Sequence, residues 1–292
     1  MSMSPVLLGY LNQVLELGVL AAVFFILALL VKGMRAVDDA RAAAGETRNN
    51  LILFALDSVT VAPALVLASA TVYRLLHAPG AIFAGEVVWA RLGPFGTAVA
   101  AVAICDFLGY CNHRLYHTAW LWPSHAIHHS DTRLSWLSLL RMHPFDRLGT
   151  LADLLGMTLL GLPDWAVVTA VMVRHYYGHL IHADLPWTLG RFDLVFISPA
   201  MHRWHHALEQ RGAGVNFATV FSFYDRIFGT FYAPGVCAGP TGVDDAIAAG
   251  VLGQYLHPLR VWLGRPQDRA LRLSGPSLIA SYAPSRERDL TR

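Results

Sequence analysis

Long apolar runs separated by short polar stretches dominate the first half of the chain. The first run, residues 15–31, is apolar apart from Glu16 and ends at Lys32 and Arg35. A helix needs about 20 apolar residues to cross the hydrocarbon core of a bilayer, so this run is about long enough to span. Similar runs cover residues 51–76 and 93–110. The pattern predicts three membrane-spanning helices, of which the first is an uncleaved membrane helix and not a secretory signal.

A fourth apolar stretch, residues 148–182, is interrupted by the turn-forming sequence GLPD at 161–164. Glycine and proline end helices, so we interpret the stretch as a helical hairpin in the membrane. Residues 38–50 are polar and alanine-rich and predict a short helix, and residues 78–86 predict a loop. The predicted fold class is therefore all-α, an integral membrane helical bundle with about four spans, counting the hairpin.

The basic residues predict how the chain is oriented. Lys32, Arg35, Arg41 and Arg48 follow the first run. Loops rich in lysine and arginine lie on the cytoplasmic side. Each crossing reverses the side, so residue 113 and the end of the hairpin return to the cytoplasm. We expect a multi-pass membrane protein with a cytoplasmic helical cap.

Composition supports a membrane location and excludes one class of partner. Hydrophobic residues make up 55% of the 292 residues and charged residues only 14%. Soluble domains carry roughly 25% charged residues. The net charge is +2 and no lysine- or arginine-rich run is present, so nucleic acid is not an expected partner. The predicted regions are N-terminal transmembrane helices (1–105), a histidine-rich catalytic region (106–232) containing the hairpin, and a C-terminal cytoplasmic tail (233–292).

Histidines are the candidate chemical groups. The chain has 14, and all but His77 and His257 fall into tight groups. The groups are HRLYH at 113–117, HAIHH at 125–129, His143 in RMHP, HYYGHLIH at 175–182 and HRWHH at 202–206. All of them are predicted on one face of the membrane. We interpret the two isolated histidines as structural.

The spacing within these groups indicates metal binding. Residues at i, i+3 and i+4 of a helix share a face, so two imidazoles placed this way can hold one ion. A site made only of imidazoles suits iron, zinc, copper or nickel. One structural zinc ion needs four ligands, and this chain offers many more, which favours two metals. A metal transporter would place its ligands near the bilayer midplane, and a haem-binding electron carrier would need far fewer histidines.

The three histidine motifs HRLYH, HAIHH and HRWHH, in this order after apolar spans, resemble the fatty acid hydroxylase/sterol desaturase superfamily of membrane di-iron oxygenases. The resemblance extends to DFLGYCNHRLYH at 106–117, RMHP at 141–144, Ser198-Pro199, Asn216 and DRIFGT at 225–230. It covers roughly residues 106–231 and looks closest to the alkylglycerol monooxygenase-like and bacterial sterol desaturase-like branch. Asp146, Asp184, Ala218 and Tyr224 depart from the usual pattern.

The resemblance implies a set of metal ligands. They are His113, His117, His125, His128, His129, His179, His182, His202, His205 and His206, with His143 and His175 as further candidates. Asp106, Asn216 and Asp225 are expected to support these ligands without binding the metal themselves. A carboxylate inside an apolar helix suggests a role, so Asp106 is a candidate to accept the free N–H of a ligand histidine, or else to bond another helix. Asn216 is a turn residue or a water-mediated ligand, and Asp225 is a candidate to orient a histidine.

The resemblance also implies the chemistry. It predicts two iron ions, dioxygen as co-substrate and an external electron donor of the ferredoxin, cytochrome b5 or reductase type. The substrate is a lipid that enters from the bilayer, such as a fatty acyl chain, an ether lipid or a sterol. Hydroxylation of a C–H bond is the expected reaction. Desaturation and oxidative C–C cleavage on the same centre remain open, and the oligomeric state is not predicted.

Overall fold

The computed structural model describes residues 5–76, 85–208, 214–248 and 250–264, and within them the chain is built from helices without a β-strand. The α-helices follow one another as α1 (Pro5–Lys32), α2 (Arg35–Ala42), α3 (Ala44–Leu76), α4 (Gly85–Tyr116), α5 (Trp122–His129), α6 (Arg147–Leu159), α7 (Asp164–His182), α8 (Pro199–His205), α9 (Phe223–Ile227) and α10 (Val251–Leu263). Short 3₁₀ helices cover Trp136–Leu140, Pro144–Asp146 and Gly190–Leu194. The predicted all-α class is confirmed.

Three of these helices are long and apolar enough to cross a membrane. Over the described residues the candidate spans are Leu8–Lys32, Ala44–Leu75 and Val88–Tyr116. Their outer faces carry large apolar side chains, such as Val14, Leu30 and Phe95, that are 66%, 77% and 82% exposed. Side chains of this kind are stable against lipid and unfavourable against water. The predicted loop at 78–86 and the isolated His77 lie outside the described residues, apart from Gly85 and Glu86, which open α4.

Helix α4 is bent near its start. Gly93 has φ of 65°, and Pro94 follows it. Proline has no N–H for the helical ladder, and glycine adopts positive φ without steric cost. The hydroxyl of Thr97 donates to the carbonyl of Trp89 at 2.8 Å and satisfies one carbonyl that the bend releases. The straight remainder of α4 then runs to the first histidine motif.

The predicted hairpin is present. α6 and α7 are joined at Leu160–Pro163, where Gly161 has φ of 67°, and both pack on α4. Small residues form the contact, because Ala101, Ala166 and Ala170 are fully buried between the helices. Small side chains let membrane helices approach closely. The 13 residues of α6 reach about 20 Å at 1.5 Å per residue, so the prediction of about four spans stays a prediction.

Polar contacts fix the helices around the histidine-rich region. Arg147 at the start of α6 pairs with Asp57 inside α3, with the shorter contact at 2.8 Å. Arg141 reaches Glu46 at 2.7 Å at the start of α3. α10, which belongs to the predicted C-terminal tail, packs on α5. Residues 265–292 of that tail lie outside the described residues.

Candidate metal centre

Five histidines form a first group. They are His113 and His117 at the end of α4, His125 and His129 on α5, and His205 on α8. One ring nitrogen from each lies within 4.8 Å of all the others. The i, i+4 spacing on α4 and on α5 places each pair on one helical face, as the sequence pattern predicted.

Four histidines form a second group beside the first. They are His128 on α5, His182 at the end of α7, and His202 and His206 at α8, and their ring nitrogens also lie within 4.8 Å of one another. The rings of His129 and His206 stack with centroids 4.3 Å apart, so the two groups share a wall. Consecutive histidines in HAIHH and HRWHH point to different groups, because neighbouring residues on a helix face different directions.

Backbone carbonyls fix the orientation of several rings. The Nδ1–H of His113 donates to the carbonyl of Phe217 at 2.7 Å, and that of His205 donates to the carbonyl of Val215 at 2.7 Å. A neutral imidazole that donates from Nδ1 carries a lone pair on Nε2. In the described structure these Nε2 atoms are buried without a hydrogen-bond partner. Buried nitrogens of this kind are costly unless a cation takes them, so the residues present fit a metal ion.

The contact between His128 and His182 is stronger evidence that these residues fit a metal ion. Both rings donate Nδ1–H to carbonyls, that of Arg141 at 3.2 Å and that of Gly178 at 2.7 Å. Their Nε2 atoms nevertheless lie 3.1 Å apart. Two lone pairs at that distance repel, and no hydrogen remains on either atom to bridge them. A shared cation is the simplest arrangement that stabilises the pair.

Burial keeps the ligand candidates in the metal-binding form. It lowers the pKa of His128, His129 and His206 well below the usual value of 6.5, and the neighbouring histidines lower it further. The same causes act on His202 and His205. A metal binds only the neutral imidazole, so at neutral pH these rings do not have to lose a proton first.

Three of the predicted histidines lie outside both groups. His143 caps the 3₁₀ helix Pro144–Asp146 by accepting from the N–H of Phe145 and contacts the carbonyl of Tyr255 at 3.2 Å. His175 is 3.6 Å from Glu16 on α1. His179 donates Nδ1–H to the carbonyl of Trp136 at 2.8 Å. Of the three histidines on α7, only His182 therefore belongs to a metal-binding group. His175 faces α1, and His179 faces the 3₁₀ helix that begins at Trp136.

Asp106 and Asp225 lie behind the first group but do not bond its rings. The sequence made Asp106 a candidate either to accept from a ligand histidine or to bond another helix. Its carboxylate instead accepts the backbone N–H groups of Thr219, Val220 and Phe221, at 2.7–3.1 Å. The guanidinium of Arg174 on α7 lies 3.6 Å from the same carboxylate.

Asp225 binds the preceding part of the loop whose residues 219–221 are held by Asp106. It accepts the N–H groups of Phe217 and Ala218 at 2.7 and 3.1 Å and the hydroxyl of Thr230 at 2.7 Å. Burial raises its pKa to about 6, and these hydrogen bonds partly offset the rise. The two carboxylates thus fix the backbone whose Phe217 carbonyl orients His113, so their effect on the histidine is indirect.

Asn216 lies in a turn. Its φ is 54°, a left-handed conformation that asparagine tolerates better than most residues. Its side-chain amide donates to the carbonyls of Met201 and Tyr232, and its side-chain oxygen accepts the N–H of Tyr232 at 2.8 Å. These contacts occupy the side chain and close the loop against α8.

Asp146 was missed as a supporting residue. It accepts from Nδ1 of His125 at 3.2 Å and from the hydroxyl of Ser124 at 2.7 Å, fully buried. A carboxylate behind a metal-binding histidine fixes its tautomer and raises its basicity. In the sequence, Asp146 was noted only because it departs from the usual family pattern after RMHP. That departure gave no indication that His125 is its partner.

Comparison with known proteins agrees with this geometry. The fatty acid hydroxylase family model matches residues 98–230, a segment that includes both histidine groups. The ornithine lipid hydroxylase OlsE of Rhizobium tropici is 32% identical over 55% of this chain and 49% of its own length. The alkylglycerol monooxygenase of Caenorhabditis elegans is 30% identical over 44% of this chain and 25% of its own.

Methylsterol monooxygenase 2-2 of Arabidopsis thaliana is 28% identical over 43% of this chain and 48% of its own length. The chain therefore spans half or less of the length of these curated relatives. No solved structure matches it. All three relatives belong to the superfamily that the histidine motifs resemble. The family model and these relatives confirm, over residues 98–230, the resemblance to the fatty acid hydroxylase/sterol desaturase superfamily.

Proposed function

We propose that this protein is a di-iron, dioxygen-dependent monooxygenase that hydroxylates a C–H bond of a membrane lipid. One observation carries the proposal: two adjacent groups of histidines, eight of the nine buried, meet at the end of a helix that is long and apolar enough to span a bilayer. The names of the relatives support the substrate class, since they describe hydroxylation or oxygenation of ornithine lipid, alkylglycerol and methylsterol.

The proposed ligands are the nine histidines of the two groups. Iron bound there would supply the redox chemistry that activates dioxygen. The overall reaction is R–H + O₂ + 2 e⁻ + 2 H⁺ → R–OH + H₂O. The two electrons come from a separate redox protein of the ferredoxin, cytochrome b5 or reductase type.

The protein contributes geometry and exclusion of water. The carbonyls of Phe217, Val215 and Gly178 hold three rings so that Nε2 points inward. His205 and His206 have no exposed surface, so bulk water does not reach the ligand atoms. A buried site of this kind protects a reactive oxidant from side reactions. The lipid reaches the site from the bilayer, because His113 lies in the last turn of the third candidate span and His117 directly follows that span.

We place the histidine groups on the cytoplasmic side. The basic residues between α1 and α3 support this orientation, because arginine and lysine accumulate on that side. The cytoplasm also supplies reduced electron carriers. The proposed organisation is an N-terminal membrane region, a catalytic region at 106–232 and a C-terminal cytoplasmic tail.

An isotope experiment tests the reaction. Purified protein reconstituted with iron, a chemical or protein reductant and extracted membrane lipids is incubated with ¹⁸O₂. Hydroxylation gives a lipid that gains one labelled oxygen atom. A lipid that loses two hydrogens without label establishes the alternative, desaturation, and a shortened chain establishes C–C cleavage. No change in any lipid, with two iron ions bound, contradicts an oxygenase.

A further inference from the structure

Helix α10 has its polar and apolar sides reversed relative to a helix that faces water. The side that packs on the protein carries two polar residues, Gln254 and His257, and both are buried. The open side carries leucines, and Leu252, Leu259 and Leu263 are 72%, 41% and 81% exposed. These three leucines are spaced i, i+7 and i+11, so they form a single stripe along one helical face. A stripe of this kind is unfavourable against water and stable against an apolar environment.

The apolar surface continues from α10 to the hairpin. Trp262, which flanks the leucine stripe, stacks on the exposed Trp120 with ring centroids 6.3 Å apart. Its ring also meets the ring of Phe145, with centroids 4.9 Å apart. Phe145 is partly exposed and comes just before α6, whose first turn carries the exposed Leu148. The leucine stripe is therefore one part of a larger apolar surface that reaches the membrane hairpin.

Helix α3 gives the depth of α10 relative to a bilayer. At the end of α3 that is remote from the histidine groups, the hydroxyl of Tyr73 donates to the carboxylate of Asp164 at 3.1 Å. Tyrosine is enriched at the boundaries of a membrane. Asp57 lies sixteen residues earlier on the same helix, roughly 24 Å along its axis. The hydrocarbon core of a bilayer is about 30 Å thick, so Asp57 lies near the other boundary.

Helix α10 lies at this second boundary. It packs on α3, and the carbonyl of its Tyr255 accepts from Nε2 of His143 at 3.2 Å. Partial burial raises the pKa of Tyr255, and the nearby charges of Asp57 and Arg147 act on that pKa in opposite directions. Tyr255 is thus a neighbour of the ion pair that marks the boundary. The leucine stripe lies at the level where acyl chains meet headgroups.

The side chains around the stripe suit a lipid surface better than a protein partner. Trp120 and Trp262 are of the residue type that is enriched at the headgroup level. Arg260, next to Leu259, is exposed, and a basic residue beside an apolar stripe is attracted to lipid phosphates. The stripe also adjoins α3, a candidate span, so a protein partner would have to displace lipid to cover it.

We infer that α10 is an interfacial helix that lies along the membrane surface on the side of the histidine groups. Its leucine stripe contacts the acyl chains of that leaflet, and Arg260 lies among the phosphates. The C-terminal region is therefore attached to the bilayer at α10. Because α10 packs on α5, which carries His125, His128 and His129, the membrane surface supports a helix that contributes to both histidine groups.

The contact is measured with a fluorescent NBD label on the full-length, iron-loaded protein, one copy per phosphatidylcholine nanodisc. The label is attached to Leu263→Cys, and in a second protein to Leu259→Cys. Cys111→Ala removes the exposed native thiol, and the other two cysteines are buried. Asp38→Cys on α2 is the matched control, because its side chain is 78% exposed and belongs to a charged helix.

Two quenchers distinguish lipid from water. Nitroxide groups on the acyl chains quench a label that lies in the bilayer, and iodide quenches a label that lies in water. We expect acyl-chain nitroxides to quench the label at both leucine positions, and iodide to quench it several-fold less there than at the Asp38 position. Single-copy nanodiscs contain neither a partner protein nor a second chain, so only lipid can protect the label.

Iodide quenching at positions 259 and 263 as strong as at position 38 overturns the inference, and so does the absence of quenching by acyl-chain nitroxides. If one of the two leucine variants fails to fold, the other decides the matter. The inference does not depend on turnover. Protein whose α10 contacts lipid but that oxidises no lipid contradicts the proposed function alone, and active protein with a water-exposed α10 contradicts this inference alone.

Discussion

Gly109 on α4 makes room for the guanidinium of Arg174 on α7, because a Cβ atom at position 109 would overlap the end of that side chain. Arg174 uses the space to reach Asp153 on α6 at 3.2 Å and to approach Asp106 on α4 at 3.6 Å. Asn112 completes the set with a 2.5 Å hydrogen bond to Asp153. One missing side chain thus permits an ion network that joins α4, α6 and α7 within the last turns of the third candidate span.

The first prediction concerns this space. Gly109→Ala should displace Arg174 and leave Asp153 and Asp106 without their cation, which destabilises the protein by about 3 kcal/mol. Gly45→Ala, at a position in α3 with no atom within 4 Å of the new Cβ, should be neutral or slightly stabilising. Thermal unfolding in detergent distinguishes the two. Equal midpoints for both variants would show that Arg174 can move aside without cost.

The second prediction concerns the number of metal ions. His129→Ala and His182→Ala each remove a ligand from a different group, so each should lower the bound iron from about two ions per chain to about one. His175→Ala should leave the iron content unchanged, because that ring contacts Glu16 and neither group. Iron per protein is measured by mass spectrometry of elements. Full loss of iron in both ligand variants would mean that the two sites cannot fill independently.

The third prediction concerns Asp146. Asp146→Asn removes the carboxylate behind His125 and should weaken iron binding about 10- to 100-fold, the usual effect of removing such a partner. Ser124→Ala removes the other hydrogen bond to the same carboxylate and leaves the histidine contact in place, so its iron affinity should stay within a few-fold of the wild type. Competition with a coloured chelator measures both affinities. An Asp146→Asn protein with wild-type affinity would contradict the assignment of this residue.

The fourth prediction concerns pH. Protons compete with a metal once the pH falls to the pKa of the free ligands. Burial lowers the pKa of His129, His205 and His206 well below 6.5, so iron affinity should change little between pH 8 and pH 6. A peptide of residues 202–206, whose histidines are exposed, should lose affinity over the same range. Chelator competition at each pH provides the comparison, and a steep loss in the protein above pH 6 would contradict it.

The sequence alone was sufficient to predict the helices and most of the histidines that the structure brings together. Long apolar runs and the i, i+3, i+4 spacing are local properties, so α1, α3, α4, the hairpin and the pairs His113–His117 and His125–His129 could be predicted without tertiary structure. His182 was a candidate through its spacing with His179, and the family resemblance added the order of the motifs. All nine histidines of the two groups were among the candidates.

The remaining features depend on contacts between distant segments. His179 shares a helical face with His182 by spacing, yet the Trp136 carbonyl takes its Nδ1–H, which no local pattern shows. Asp106 is 113 residues from the loop that it holds, and Asp146 is 21 residues from its histidine. Hydrogen-bond partners of this kind are fixed by packing, so a pattern can identify an unusual carboxylate but not its partner.

The opposed Nε2 atoms of His128 and His182 have a consequence for the life of the protein in the cell. They join α5 to the end of the hairpin, and without a cation they push these segments apart. Metal affinity therefore contributes directly to folding: an ion at 100 times its dissociation constant adds about 2.7 kcal/mol per site. If iron is the ion bound there, as proposed, chains made during iron starvation would lack this contribution, open more often at the hairpin and be more accessible to membrane proteases. Iron supply would then set the amount of this protein as well as its activity.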